Sequence, residues 1–178
     1  MITARPDGKH LAVKRLLIPA LATAVLIAAP ASAAWAVRIF GATNPGNQLG
    51  TAQGLLDLGN DIAGNDIGDT LHFELEEAGP VVFIFSAECA VDGNAQQWVS
   101  IELLANGTAL GQSDGDQDTF CSGDSFAGFN DSWVMASMTV PVELNAGVYD
   151  LQVQVTAAGG SIGWWIGDTG LTVIVQKR

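Results

Sequence analysis

From Thr70 onward, apolar residues in this chain recur at every second position. Leu71, Phe73 and Leu75 do so, as do Val99, Ile101 and Leu103, then Leu151, Val153 and Val155, then Leu171, Val173 and Val175. Successive side chains of a β-strand point to opposite faces, so a strand lying between core and water carries this period, whereas a helix spaces its apolar positions by three and four. Turn residues separate the runs: Gly79-Pro80, Asn106-Gly107, Asn145-Ala146-Gly147 and Ala157 to Gly160. Asn-Gly is the strongest short-range hairpin signal. Short strands at regular spacing predict an all-β fold, an antiparallel β-sandwich of jelly-roll type with about 8–10 strands.

The longest run, Val81 to Val91, contains one of the two cysteines. It begins nearly all apolar and ends in alternation, which predicts a central strand buried on both faces at its start and on one face later. Phe83, Phe85, Ala87 and Cys89 then face inward, with Ser86 and Glu88 outward. The run Val134 to Leu144 contains Pro141, which has no N–H to give, and so belongs at an edge or a bulge. Ala36 to Phe40 reads as a short first strand ended by Gly41. Gln48 to Asp69 reads as an exposed loop in which only Gly54 to Leu58 is ordered. Ile162 to Ile166 and Leu171 to Val175 read as the last two strands.

The first residues have a different character. Arg5, Lys9, Lys14 and Arg15 precede the apolar stretch Leu16 to Ala29, which Pro30 and the small-residue triplet Ala31-Ser32-Ala33 close. This is the layout of a cleavable signal peptide, 1–33, with cleavage after Ala33 or Ala36. The apolar stretch falls short of the ~20 residues needed to cross hydrocarbon. The expectation is an exported chain, secreted or periplasmic, with one domain over 34–178.

Without the leader, three basic residues (Arg38, Lys177, Arg178) face eighteen acidic ones, a net charge of about −15. Such a field repels phosphate backbones and anionic lipids, so neither nucleic acid nor a membrane surface is an expected partner. In an oxidising compartment Cys89 and Cys121 are expected to form a disulfide rather than remain free thiols. On the chain-entropy model the closed loop would stabilise the fold by about 3.7 kcal/mol.

The layout Phe73 to Phe85 (FELEEAGPVVFIF), Val99 to Gly107 (VSIELLANG), Leu144 to Val155 (LNAGVYDLQVQV) and Gly170 to Val175 resembles the C1q and tumour-necrosis-factor-like jelly-roll domain, and bacterial secreted proteins of the same layout. The resemblance runs from about Thr70 to Val175. It implies a jelly roll and a homotrimer, and supplies no catalytic residues.

Catalysis has few candidates. His72 is the only histidine after the leader, and it sits at an outward position. No G-x-S-x-G elbow occurs, and the acids are too numerous for any one pair to stand out. No catalytic residue is expected, and no cofactor apart from calcium. Asp114, Asp116 and Asp118 alternate as in oxygen-ligand loops for hard cations, and Asp124 adds a fourth candidate ligand. The alternative is a solvated acidic turn. Trp164 and Trp165 are adjacent, so they must face opposite ways in a strand. With Trp164 inward, Trp165 is the candidate to stack on a sugar ring, together with Trp98, or else to be covered by a loop or a subunit. Trp98 and Trp133 each open a strand, at positions suited to closing the core. The expected role is non-catalytic extracellular binding or assembly. Its alternatives are a carbohydrate- or calcium-dependent adhesion module and a fibre subunit donating its N-terminal strand.

Overall fold

The computed structural model describes residues 37–92, 97–110, 119–122, 133–158 and 163–176. The expected leader and its expected cleavage sites lie outside them. So do the candidate calcium ligands Asp114, Asp116, Asp118 and Asp124.

Thirteen strands form among the described residues: β1 (Val37–Asn44), β2 (Gln48–Gly50), β3 (Gly54–Leu55), β4 (Gly59–Asp61), β5 (Asp66–Gly68), β6 (Leu71–Leu75), β7 (Gly79–Asp92), β8 (Trp98–Ala105), β9 (Thr108–Ala109), β10 (Cys121–Ser122), β11 (Val134–Leu144), β12 (Gly147–Ala158) and β13 (Gly163–Gln176). One sheet has seven strands in the order β11-β7-β13-β1-β4-β5, with β2 also against β13. The other has six, in the order β10-β8-β12-β3, with β6 against β12 and β9 against β8. Eight strands make the two walls. Numbered along the chain from β1 to β13, they run first-eighth-third-sixth in one wall and second-seventh-fourth-fifth in the other. Every pairing is antiparallel. This is the connectivity of a jelly roll, as the alternation predicts.

The core fills the space between the walls. Phe83 and Phe85 of β7, Leu103 of β8, Leu151 and Val153 of β12 and Val173 of β13 are fully buried. Phe73 stacks on Tyr149, with centroids 5.3 Å apart, and meets Phe83 edge-on at 5.9 Å, so aromatic contact runs from one sheet to the other. The disulfide Cys89–Cys121 joins β7 to β10 across this core, with Cα atoms 6.3 Å apart.

Four sequence expectations need correction. β1 continues through Gly41 to Asn44, because β13 pairs with it over its whole length. The stretch 48–69 is no open loop. Its Leu56 and Leu58 are fully buried, Leu56 N–H donates to Val153 C=O, and β4 and β5 form a hairpin. The start of β7 alternates like the rest: Val81 and Phe83 are buried, and Val82 and Ile84 are half-buried on the outer surface. Finally, β13 is one strand. Asp168 and Thr169 face a single residue of β7, a bulge that lets pairing resume at Gly170. Asp168 takes φ 45° there, a conformation that aspartate tolerates better than most residues.

Candidate functional site

The outer surfaces of the two sheets differ in chemistry. On the six-stranded sheet, the outward positions include His72 and Glu74 of β6, Asp150, Gln152 and Gln154 of β12, and Glu102 of β8, with Leu55, Trp98, Leu104 and Val148 as apolar exceptions. Polar contacts knit this surface together. His72 Nδ1 lies 2.7 Å from Asp150 Oδ1, Gln152 Nε2 donates to Thr70 Oγ1, and Gln53 Nε2 donates to Gln154 Oε1. Antiparallel sheets with one wet face have this composition.

The seven-stranded sheet departs from it. Following the register across β1, β13, β7 and β11, one outward row reads Ile39, Ile174, Val82, Pro141, and the next reads Gly41, Thr172, Ile84, Thr139. Ile39 is 55% exposed. Ile62, at the tip of the β4–β5 hairpin, extends this patch. Its N–H donates to Gly41 C=O, and a side chain at Gly41 would meet Ile62 Cγ2 at 3.3 Å.

At the other end of the same surface lie the tryptophans. Leu49 of β2, Trp165 of β13, Ala90 of β7 and Trp133, just before β11, share one outward row. The indoles of Trp133 and Trp165 are near parallel, 17° apart in plane with centroids 6.2 Å apart. They lean toward each other across β7, where Ala90 leaves them room. The next row is Asn47, Gly167, Glu88 and Met135. A side chain at Gly167 would collide with Asn47 Oδ1 and come within 3.7 Å of the Trp133 ring. Between these rows and the aliphatic patch, the bulge leaves an open depression of about 360 Å³ lined by Thr43, Ser86, Asp168 and Gly170.

Trp164 is buried, and its Nε1 donates to Ala52 C=O, while Trp165 is outward and half-buried, as adjacency requires. Trp98 does not join it. Its parity places it on the outer surface of the six-stranded sheet, with Val99 inward, so the two lie on opposite sides of the sandwich. Trp98 Nε1 and the buried Ser100 hydroxyl find no hydrogen-bond partner among the described residues. Trp133 does not close the core as expected; it is 41% exposed. Its pairing with Trp165 was not anticipated. Its parity with Met135 was a signal, but not the crossing of β7.

Cys89 and Cys121 are paired as expected. Among the described residues, no three His, Cys, Asp or Glu side chains are grouped to hold a metal ion, and no helix is long and apolar enough to cross a membrane. Arg38 is the one basic residue described, and its guanidinium bonds Glu76 at 3.1 Å and lies 5.1 Å from the Phe40 ring centroid.

No family model and no curated protein matches the chain. Among solved structures it is similar to dimeric latent PorU from Porphyromonas gingivalis, at 13% identity and a TM-score of 0.44 over 81% of this chain. The chain spans 13% of that protein's length.

Proposed function

We propose that this chain is an exported, non-catalytic module for extracellular binding or assembly, and that it makes contact through the outer surface of the seven-stranded sheet. The carrying observation is the row Ile39, Ile174, Val82, Pro141, continued by Ile62 at one end of a surface that has Trp133 and Trp165 at the other. Water would favour polar residues at these positions, and the opposite sheet has them. The disulfide supports an oxidising compartment, and the leader 1–33 supports export to it.

Two measurements test this reading. Sedimentation over a concentration series reads assembly, including the trimer that the C1q-like resemblance implies. Hydrogen-exchange footprinting against extracellular material reads binding. A mass that rises with concentration and returns to one chain in Ile174→Lys supports assembly through this surface. Protection of β1, β7 and β13 by a partner supports binding there. A monomer protected only on β6, β8 and β12 overturns the assignment.

A further inference from the structure

We propose that the outer surface of the seven-stranded sheet carries a glycan-binding groove for a neutral oligosaccharide, running along β13 from the Trp133–Trp165 pair to the depression beside Asp168. This rests on the reading of that surface as the contact surface, and names the ligand class at one end of it.

The groove has an aromatic wall and a polar rim. At the aromatic end the indoles lean together over Ala90 and the Asn47 side chain lies over Gly167, and the open space begins beyond them at the depression beside Asp168. The wall is the indole pair, near parallel, with Trp133 41% exposed. The C–H face of a pyranose ring is apolar and lies flat on an indole, while its hydroxyls project from the rim and need donors and acceptors. The adjacent row supplies an amide and a carboxylate, Asn47 and Glu88. Beyond the bulge, the depression adds the hydroxyls of Thr43 and Ser86 and the exposed carboxylate of Asp168. At about 3.3 Å per residue, Trp165 to Gly170 spans roughly 15 Å, the length of a short oligosaccharide.

Charge selects within the class. Glu88 and Asp168 lie at the groove, and Arg38 is the one basic residue described. The chain carries −12 overall, a field that disfavours uronic or sulfated sugars and leaves neutral ones unaffected. Two indoles beside a carboxylate also suit a quaternary ammonium group, which makes that ligand the necessary competitor.

The experiment uses the full chain with cellohexaose, chitohexaose, xylohexaose and mannohexaose as neutral probes, a heparin hexasaccharide as acidic probe and tetramethylammonium as cationic probe. Calorimetry and indole emission are read together. At least one neutral hexasaccharide is expected to bind and shift the emission, and the heparin probe is not. Trp133→Ala should weaken binding at least tenfold, and Asp168→Asn several-fold. Asp168→Asn keeps both indoles, and an unchanged melting temperature in each variant is the check on folding. Trp98→Phe, on the opposite side of the sandwich, should leave affinity unchanged. The proposal is overturned if no neutral probe binds, if binding survives both Trp133→Ala and Asp168→Asn, or if tetramethylammonium or heparin binds in place of the neutral probes. Partner protection of β1 and β13 with no glycan bound would remove the groove and leave the contact surface standing. Partner protection confined to β6, β8 and β12 would remove both.

Discussion

The two outer surfaces of this sandwich are built on the same backbone plan and hold their strands differently. On the six-stranded sheet, side chains bond one another and the backbone. Asn106 is the clearest case: its Oδ1 accepts from Asp150 N–H at 2.8 Å, and its Nδ2 donates to Val148 C=O at 3.2 Å. On the seven-stranded sheet, neighbouring outward positions are filled by isoleucine, valine, proline and tryptophan, with the two indoles in ring contact across β7. A polar surface sets its register by hydrogen bonds and is complete in water. An apolar one sets it by packing, and leaves area that another molecule could cover. The difference leaves one side satisfied by its own hydrogen bonds and the other with apolar area exposed to water.

The largest expected effect concerns what joins the two sheets. Replacing Cys89 and Cys121 together by serine should cost up to about 3.7 kcal/mol on the chain-entropy model, read by chemical denaturation. The emission of the native state should hold until the main transition, because the sheets keep their own ladders. Loss of the Trp133–Trp165 signature well before unfolding would mean that the bridge shapes the aromatic surface itself. Next, Asn106→Ala removes two bonds on the polar side and places alanine at φ 52°, a cost of roughly 2 kcal/mol. If that variant melts like the parent, the polar surface does not set its register as argued.

A smaller, paired test compares the surfaces directly. Ile174→Lys strips a half-buried apolar side chain from its row and should cost about 1 kcal/mol, while Gln152→Lys on the other sheet should stay within ~0.5 kcal/mol. Equal losses would break the distinction.

Much of this was legible in the sequence. The alternation from Thr70 onward, the Asn106-Gly107 turn and the cysteine pair predict the sandwich and its bridge, because each is a local signal whose meaning does not depend on distant chain. What was not legible is non-local. Gly-, Asn- and Asp-rich sequence reads as loop, yet Leu56 and Leu58 become core once β12 and the β4–β5 hairpin lie beside them. Val82 and Ile84 read as doubly buried, because sequence cannot separate a covered face from an apolar face left open. Trp133 and Trp165 are 32 residues apart and meet only because β7 lies between their strands with alanine at the crossing. The bulge at Asp168 has no sequence signature beyond Asp168-Thr169 lying between two glycines.

The smallest effect lies where the apolar surface depends on a single carboxylate. Asp61 closes the β4–β5 hairpin, its Oδ1 accepting from Ala63 N–H and Asn65 N–H and both its oxygens from the Asn65 side-chain amide. Those bonds favour the charged form, with the Asn65 side chain the largest cause, and hold the carboxyl below its ordinary value of 3.8. A carboxyl depressed in the folded state adds stability above its unfolded value, and that stability is lost as pH falls through the folded value. The hairpin should therefore stay protected at neutral pH and begin to open only below 3.8, while β13 remains closed. Protection factors for the Ala63 and Asn65 amides, corrected for the intrinsic pH dependence of exchange, read this directly. Asp61→Asn should remove the acid step and leave the hairpin looser at every pH. Because Ile62 rides on this hairpin over Gly41, its release would also uncover that end of the aliphatic row. A hairpin that opens no more readily at acid pH, and no more readily in Asp61→Asn, would mean that packing of Ile62, rather than the Asp61 carboxylate, holds it in place.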